Sequence, residues 1–296
     1  MSLGGRAEGM ARLRRAVAEI EAEAGSAGLR QAGECAVRRL SLSRTLDSTL
    51  GGGLADDGLH EIAPAEPQDG AAAMGFALAL AARFLDRRQA SALIIGEGFA
   101  AHETGALYGP GLIAHGLPLS RLVFVQAPDA ALAFWAMEEA LKCGAPAAVV
   151  GEIWSLKGYS LAASRRLLLA ARKGRTPALL ILASAYGQAE RLSSAAETRF
   201  EIAAAPSAKL KAAAGRDLPG PFAFGARLVK ARLARAGPEA PLQAFDAERV
   251  IRLEWRSQDN QFEELQFEEL AFGDPAISLP VAAAAGDGPR AASQWR

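Results

Sequence analysis

The chain has few of the side chains that bind metal ions or form disulfides. Two cysteines and three histidines stand among its 296 residues. Cys35 and Cys143 are far apart, and no pair of cysteines or histidines has the short spacing of a zinc site. We therefore expect no structural metal, no disulfide framework and no cofactor.

The chain also lacks net charge. Its 33 basic and 33 acidic residues give a formal net charge of +0, so no overall field attracts nucleic acid or a membrane. No apolar run reaches the about 20 residues that cross a bilayer, and residues 1–25 have no apolar segment typical of a secretory signal. These absences predict a cytoplasmic protein with no membrane partner.

Hydrophobic residues are abundant, at 50% of the chain, which is enough for one large core. Short apolar runs alternate with helix-forming segments from residue 58 onward. The runs are continuous, which is typical of a parallel sheet covered by helices on both faces. The pattern predicts an α/β fold with strands at 58–63, 91–96, 121–126, 146–151 and 177–183, helices at 71–88, about 103–116, 129–143 and 160–173, and an antiparallel extension at one sheet edge from 198–203, 222–236 and 248–256.

The first of these strands leads into a loop and a helix, as in a phosphate-binding P-loop. Such a loop needs glycines whose N–H groups turn toward phosphate, a lysine, and a Ser or Thr hydroxyl for Mg²⁺. Residues 58–73 read GLHEIAPAEPQDGAAA. Pro64 has no N–H, Asp69 would repel phosphate, and Gly70 and Ala71 have no ammonium or hydroxyl group. We therefore expect an NTPase-like scaffold that has lost catalysis.

Several segments, in their order and spacing, together resemble the ImuA family of RecA-related accessory proteins in bacterial SOS mutagenesis. The resemblance covers roughly residues 45–256 and implies a RecA-like core. The matching segments are LDSTLGGGLADDGLHEI (46–62), LIIGE (93–97), LYGPGLIAHGLPLSRLVFVQAPD (107–129), ALAFWAMEEALKCG (131–144), AAVVGEIW (147–154), SRRLLLAARKGRTPALLIL (164–182), RFEIAAAPS (199–207) and LEW (253–255).

The resemblance also implies partners. Members of the family work with ImuB, a catalytically inactive Y-family polymerase homologue, and with an error-prone DnaE-type polymerase in translesion synthesis. A RecA filament is a further candidate partner. An older label for relatives is SulA-like, after a cell-division inhibitor of the SOS response.

The chain divides into three predicted parts. Residues 1–44 form an N-terminal helix and linker, in which the apolar stripe of residues 10, 13, 17 and 20 marks a buried helix face. Residues 45–257 form a degenerate RecA-like domain. Residues 258–296 form an acidic repeat and a disordered tail.

Two carboxylates follow predicted strands at places where RecA-like ATPases hold acids. Glu97 ends LIIGE, and Glu152 follows AAVVG. Because the phosphate loop is degenerate, we interpret both as inherited site geometry without catalysis. His102 and His115 are expected to be hydrogen-bonded locally, since no nucleophile accompanies either.

Basic residues concentrate in two stretches. Residues 157–175 include no acid, and residues 204–236 include a single acid, Asp217. Such stretches could contact DNA phosphates, an acidic partner protein, or only solvent. No aromatic residue lies within 204–220, which disfavours stacking on single-stranded bases. The candidate DNA or partner contacts are Arg165, Arg166, Arg172, Lys173, Arg175, Lys230 and Arg232.

An acidic segment with a tandem repeat, QFEELQFEEL (261–270), follows. Large apolar side chains in such a segment suggest a recognition element that orders on a partner. The alternative is a helix or strand that packs back on the core. The candidate docking residues are Phe262, Leu265, Phe267 and Leu270.

Taken together, these features predict a non-catalytic RecA-fold adaptor in SOS-induced error-prone translesion synthesis, acting through an ImuB-like partner. Two alternatives remain. One is a residual ATPase with unconventional phosphate contacts, and the other is a SulA-like inhibitor of cell division.

Overall fold

The structure is a computed structural model that describes residues 38–207, 209–211, 217–232 and 246–265. The helix predicted near residues 7–24 and the candidate docking residues Phe267 and Leu270 lie outside these ranges.

The strands alternate with helices from residue 59 to residue 204, as the apolar pattern predicts. The five predicted parallel strands begin and end within two residues of the observed ones. The strands in the described ranges are β1 (Arg39–Leu40), β2 (Leu54–Ala55), β3 (Leu59–Pro64), β4 (Ala92–Glu97), β5 (Leu122–Ala127), β6 (Ala148–Ile153), β7 (Ala178–Leu182), β8 (Thr198–Ala204), β9 (Lys209–Lys211), β10 (Asp217–Pro219), β11 (Ala223–Ala231), β12 (Val250–Arg256) and β13 (Gln261–Glu264).

Helices and short 3₁₀ turns connect these strands. The helices found in the described residues are α1 (Arg44–Leu50), α2 (Gly70–Arg87), α3 (Gly98–Thr104), α4 (Gly109–Ala114), α5 (Ala130–Cys143) and α6 (Leu161–Gly174), with 3₁₀ turns at Pro67–Asp69, Leu119–Arg121 and Ala189–Arg191.

One sheet organises the molecule. Its strand order is β13-β12-β11-β8-β3-β7-β6-β4-β5. The six strands from β8 to β5 run parallel, and β11, β12 and β13 extend the sheet antiparallel beyond β8. This confirms the predicted α/β fold with an antiparallel extension at one edge. The order is consistent with the RecA-like core that the resemblance implies.

Each face of the sheet has its own apolar core. On one face α2 packs with Phe76, Leu80 and Phe84 wholly buried. On the other face α5 and α6 pack with their own Met137 and Leu167 buried. Because both faces are covered, strands such as β7 (ALLIL) are buried at every position, which is why their sequences do not alternate.

The helix predicted at about 103–116 is wrong in one respect, because the structure divides this segment into α3 and α4. Gly105 lies between them with φ of 81°, a left-handed conformation that ends a helix at low cost in glycine. Pro110 lies in the first turn of α4, where its missing N–H leaves no helical hydrogen bond unmade. Gly105 and Pro110 therefore explain the interruption.

The fold brings the segments that follow the parallel strands to one side of the sheet. In open α/β sheets this crevice at the carboxyl ends of the strands is where ligands bind. The loop after β3, the end of β4 and the end of β6 all lie there, so this crevice is the first place to look for chemistry. Within the described ranges, no helix has the length and apolar character to cross a membrane.

Candidate functional site

The loop after β3 is closed by a carboxylate from its own chain. Asp69 accepts the backbone N–H of Glu66 at 3.1 Å and, through its other oxygen, the N–H of Ala204 at 2.9 Å. Asp69 is buried and occupies the N-cap position of α2. A helix N-terminus favours an anion, which in a P-loop protein is phosphate. Here the carboxylate of Asp69 lies beside that N-terminus; it makes no capping hydrogen bond to α2 and instead ties the loop to the end of β8.

Glu97 is hydrogen-bonded to the backbone just after β6. Its Oε2 accepts the N–H groups of Trp154 at 2.8 Å and of Ser155 at 2.9 Å, and the residue is 6% exposed. A carboxylate that accepts two backbone N–H groups is fixed in place. In this structure Glu97 therefore anchors the chain after β6 beside the end of β4.

Glu152 lies on β6 between Gly96 of β4 and Ile181 of β7. Burial raises the pKa of its carboxyl to about 7, because a low-dielectric environment disfavours the charged form. At neutral pH this carboxyl is therefore about half protonated, and the protonated form is a poor ligand for Mg²⁺. Across the described part of the chain, no three His, Cys, Asp or Glu side chains are grouped so that they could hold a metal ion.

A buried polar cluster joins β3 to β8, and sequence reasoning missed it. The Arg199 guanidinium lies 2.7 Å from Glu61 Oε2. Ser194 Oγ donates to Glu61 Oε1 at 2.6 Å, and the Tyr159 hydroxyl donates to the same oxygen. The available signal was a charged residue inside each apolar run, in LHEIAP and RFEIAA. The cluster holds two central strands and the segments around them together.

Lys230 lies at the border of this cluster. Its ammonium group donates to the carbonyl of Ser194 at 2.5 Å, and burial lowers its pKa to about 8. The exposed Arg232, close by in the chain, donates its backbone N–H to the carbonyl of Glu197. Lys230 is thus partly buried, whereas most of the other basic candidates lie on one helix.

That helix is α6, which carries four of the predicted contact residues. Arg165, Arg166, Arg172 and Lys173 are all exposed, and Arg175 follows as the exposed C-cap residue. Arg166 pairs with Glu138 of α5 at 3.0 Å, and Arg172 pairs with Glu197 at 2.9 Å. The structure therefore gathers the first basic stretch onto the outer face of α6.

The first unit of the acidic repeat is a strand of the sheet. Phe262, on β13, is 8% exposed, and its ring packs 4.9 Å from Trp255 and 5.3 Å from Phe76 between centroids. Leu265 is half-buried just after β13, and its N–H donates to the carbonyl of Arg252. For Phe262 the structure shows the packing alternative.

An exposed apolar edge was also missed. β5 ends the sheet beyond β4, and its Val123 and Phe124 are 47% and 52% exposed. Tyr108 and Ile113, in the preceding segment, are exposed as well. From sequence LVFVQ was indistinguishable from a buried strand, since only the strand order puts it at an edge. An exposed apolar edge strand is typical of a protein contact surface.

The two histidines differ in environment. His115 Nε2 lies 2.8 Å from the carbonyl of Gly75, and burial lowers the pKa of this histidine. Its own carbonyl accepts the indole N–H of Trp255 at 3.0 Å. His102 is exposed on α3. The N–H of His115 donates locally, to Gly111 and Leu112, but its ring and its carbonyl bond residues that are distant in sequence, and these contacts serve packing.

Comparison with known proteins finds similarity for part of the chain. No family model matches. Two curated proteins, each described as Protein ImuA and coming from Caulobacter vibrioides strains NA1000 / CB15N and ATCC 19089 / CIP 103742 / CB 15, are 33% identical over 165 residues. The match covers 53% of this chain and 64% of each relative, less than two thirds of their length.

A solved structure was also compared. SulA from Pseudomonas aeruginosa is 23% identical, with a TM-score of 0.34, and the match covers 42% of this chain and 96% of that chain. By sequence, this chain is similar to ImuA over about half of its own length.

Proposed function

We propose that this chain is a non-catalytic accessory protein of SOS-induced, error-prone translesion synthesis. In this role the α/β core presents surfaces to an ImuB-like polymerase homologue. The similarity to ImuA supports the biological setting, and the geometry of the crevice supports the absence of nucleotide chemistry.

The observation that carries the proposal is the position of Asp69. Its carboxylate binds the N–H groups of Glu66 and Ala204 at the start of α2. A nucleotide phosphate at this place would lie beside the carboxylate of Asp69, and two negative charges repel at any dielectric constant. The loop also offers no lysine and no hydroxyl between Pro64 and Ala71.

The exposed surfaces support a role in protein contact. The β5 edge exposes Val123 and Phe124, and α6 exposes a set of cations. Apolar and aromatic residues on an exposed edge are typical of the centre of an interface. An adaptor with two such surfaces could hold one partner against another.

Two measurements test the proposal. Full-length chain titrated with a fluorescent ATP analogue and Mg²⁺ should show no saturable binding, and saturable binding with hydrolysis would support the residual-ATPase alternative. Co-purification with the ImuB-like protein should give a stable complex. If both proteins are folded and no complex forms, the adaptor role is wrong.

A matched pair of variants localises the contact. Phe124→Glu would place a charge on the β5 edge, and Phe99→Glu would place one on another exposed aromatic residue, 49% exposed, outside that strand. We expect the first to weaken the complex if the partner covers β5, and the second to leave it intact.

The division-inhibitor alternative makes a separate prediction. A SulA-like inhibitor would make cells filament when it is overexpressed without DNA damage. We expect normal division, and filamentation would overturn the adaptor proposal in favour of that alternative.

A further inference from the structure

Leu169 is an exposed leucine enclosed by four cations. It lies at the middle of α6 and is 53% exposed. Arg165 and Arg166 lie four and three residues before it, and Arg172 and Lys173 lie three and four residues after it. Residues at these spacings are neighbours on one helix face. We call these five residues the α6 cationic face.

In the part of the chain that the structure describes, two of the four cations form ion pairs within the protein, and two do not. Arg166 and Arg172 lie at the two sides of the face, paired with Glu138 and Glu197. Within the described residues neither Arg165 nor Lys173 has an ion pair. The two paired arginines are fixed in direction, and the two remaining cations can bind carboxylates of a partner.

Further exposed apolar groups border the face. Leu161, at the start of α6, is 49% exposed, and Trp135 of α5 is 60% exposed. Trp135 lies one turn before Glu138, the partner of Arg166, so it stands on the α5 side of the face. Leu169 between the cations, with Leu161 and Trp135 beside them, makes this face apolar as well as charged.

The geometry points to an acidic amphipathic helix of a partner protein as the ligand of the α6 cationic face. This inference rests on the proposed adaptor function and gives the chemistry of one docking surface. The partner would place an apolar residue on Leu169 and carboxylates beside it, since an amphipathic helix repeats its apolar positions every three to four residues. Complementary charge would set its register.

The apolar centre favours this ligand over DNA. A phosphate backbone is bound by cations and gains nothing from contact with Leu169 or Leu161. A peptide helix uses both features, because desolvating an apolar anchor contributes binding energy that surrounding charges only orient.

A binding assay on the full-length chain tests the inference. The probe is a fluorescein-labelled synthetic amphipathic helix with leucines along one face and glutamates flanking them, followed by fluorescence anisotropy. The control peptide carries lysine in place of each glutamate. We expect saturable binding of the acidic peptide and none of the lysine peptide.

Two variants separate an apolar anchor from charge alone. Leu169→Ala keeps every charge and a good helix former, and should weaken peptide binding about tenfold, the equivalent of about 1.4 kcal/mol. Leu119→Ala is the matched control, because Leu119 is also exposed but lies in the 3₁₀ turn before β5. Arg165→Glu with Lys173→Glu should abolish binding, with circular dichroism confirming that the double variant is folded.

Several outcomes would overturn the inference. It is wrong if the acidic peptide does not bind, or if Leu169→Ala binds it as tightly as the parent does. It is also wrong if a labelled single-stranded oligonucleotide binds instead, with loss in the Arg165→Glu, Lys173→Glu variant and no effect of Leu169→Ala. A parent chain that co-purifies with its ImuB-like partner but ignores the peptide would defeat this inference and leave the proposed function standing. If the peptide binds but the chain does not co-purify with the ImuB-like protein, the proposed function is wrong and this inference stands.

Discussion

Arg199 and Glu61 face each other directly across the parallel strands β8 and β3, with 2.7 Å between guanidinium and carboxylate. Their side chains are 2% and 0% exposed. Arg199 also donates to the carbonyl of Leu192 at 2.8 Å, so the cation is satisfied on more than one side. This pair holds the strand before the candidate loop to the strand on which that loop is anchored.

Breaking this pair should be costly. Arg199→Met leaves Glu61 buried without its cation, and we expect the free energy of unfolding to fall by about 3–5 kcal/mol. The double variant Glu61→Leu, Arg199→Met should lose less, because no isolated charge remains. Urea denaturation measures both, and Arg166→Met, at an exposed pair with Glu138, should cost less than about 1 kcal/mol. Equal losses at the exposed and buried sites would contradict this reading.

Removing the carboxylate of Asp69 should destabilise the loop without restoring nucleotide chemistry. Asp69→Ala removes the acceptor of the N–H groups of Glu66 and Ala204. Both residues are exposed, so water can replace the carboxylate, and we expect a loss of about 0.5–1.5 kcal/mol per hydrogen bond. Exposed Glu103→Ala is the control and should change stability little. Thermal unfolding with and without ATP and Mg²⁺ measures both the loss of stability and any binding of nucleotide. Stabilisation of the Asp69 variant by nucleotide would show that this carboxylate alone blocks a functional phosphate site.

Truncation tests whether β13 is part of the cooperatively folded unit. A chain that ends at Leu265 keeps β13 and should unfold cooperatively. A chain that ends at Asp259 loses Phe262 from its contacts with Trp255 and Phe76, and removal of a buried phenylalanine side chain costs about 3–5 kcal/mol. Phe262→Ala in the full chain should reproduce most of that loss. If the two truncations denature at the same urea concentration, the first repeat unit serves recognition and not packing.

Glu152 should make stability depend on pH. Its pKa is raised from 4.5 to about 7 by burial, so the folded chain holds a proton that the unfolded chain releases. The resulting stabilisation is fully present below pH 4.5 and is lost as the pH rises through about 7. Glu152→Gln cannot ionise, so its free energy of unfolding relative to the parent should grow as the pH rises from acid to alkaline. A difference that is constant with pH would show that Glu152 has an ordinary pKa.

The sequence by itself determined the class of the fold. Continuous apolar runs such as ALLIL, separated by helix-forming segments, are typical of parallel strands that are covered by helices on both faces. The absence of a lysine and of a hydroxyl between Pro64 and Ala71 was also visible, because residue types are read directly along the chain. Both features depend on residues that are close together in the chain, so the sequence shows them directly.

The tertiary structure decided which strand lies at an edge, which charges are buried, and which face of α6 reaches solvent. LVFVQ reads as a core strand until the order of the sheet leaves Phe124 exposed. Glu61 reads as a misplaced acid until β8 brings Arg199 opposite to it. QFEEL fits a recognition element as well as a segment packed on the core until the aromatic rings of Phe76 and Trp255 are found against Phe262. The physical reason is the same in each case: burial and pairing are properties of neighbours that are distant in sequence, and the chain pattern does not record which neighbours folding will supply.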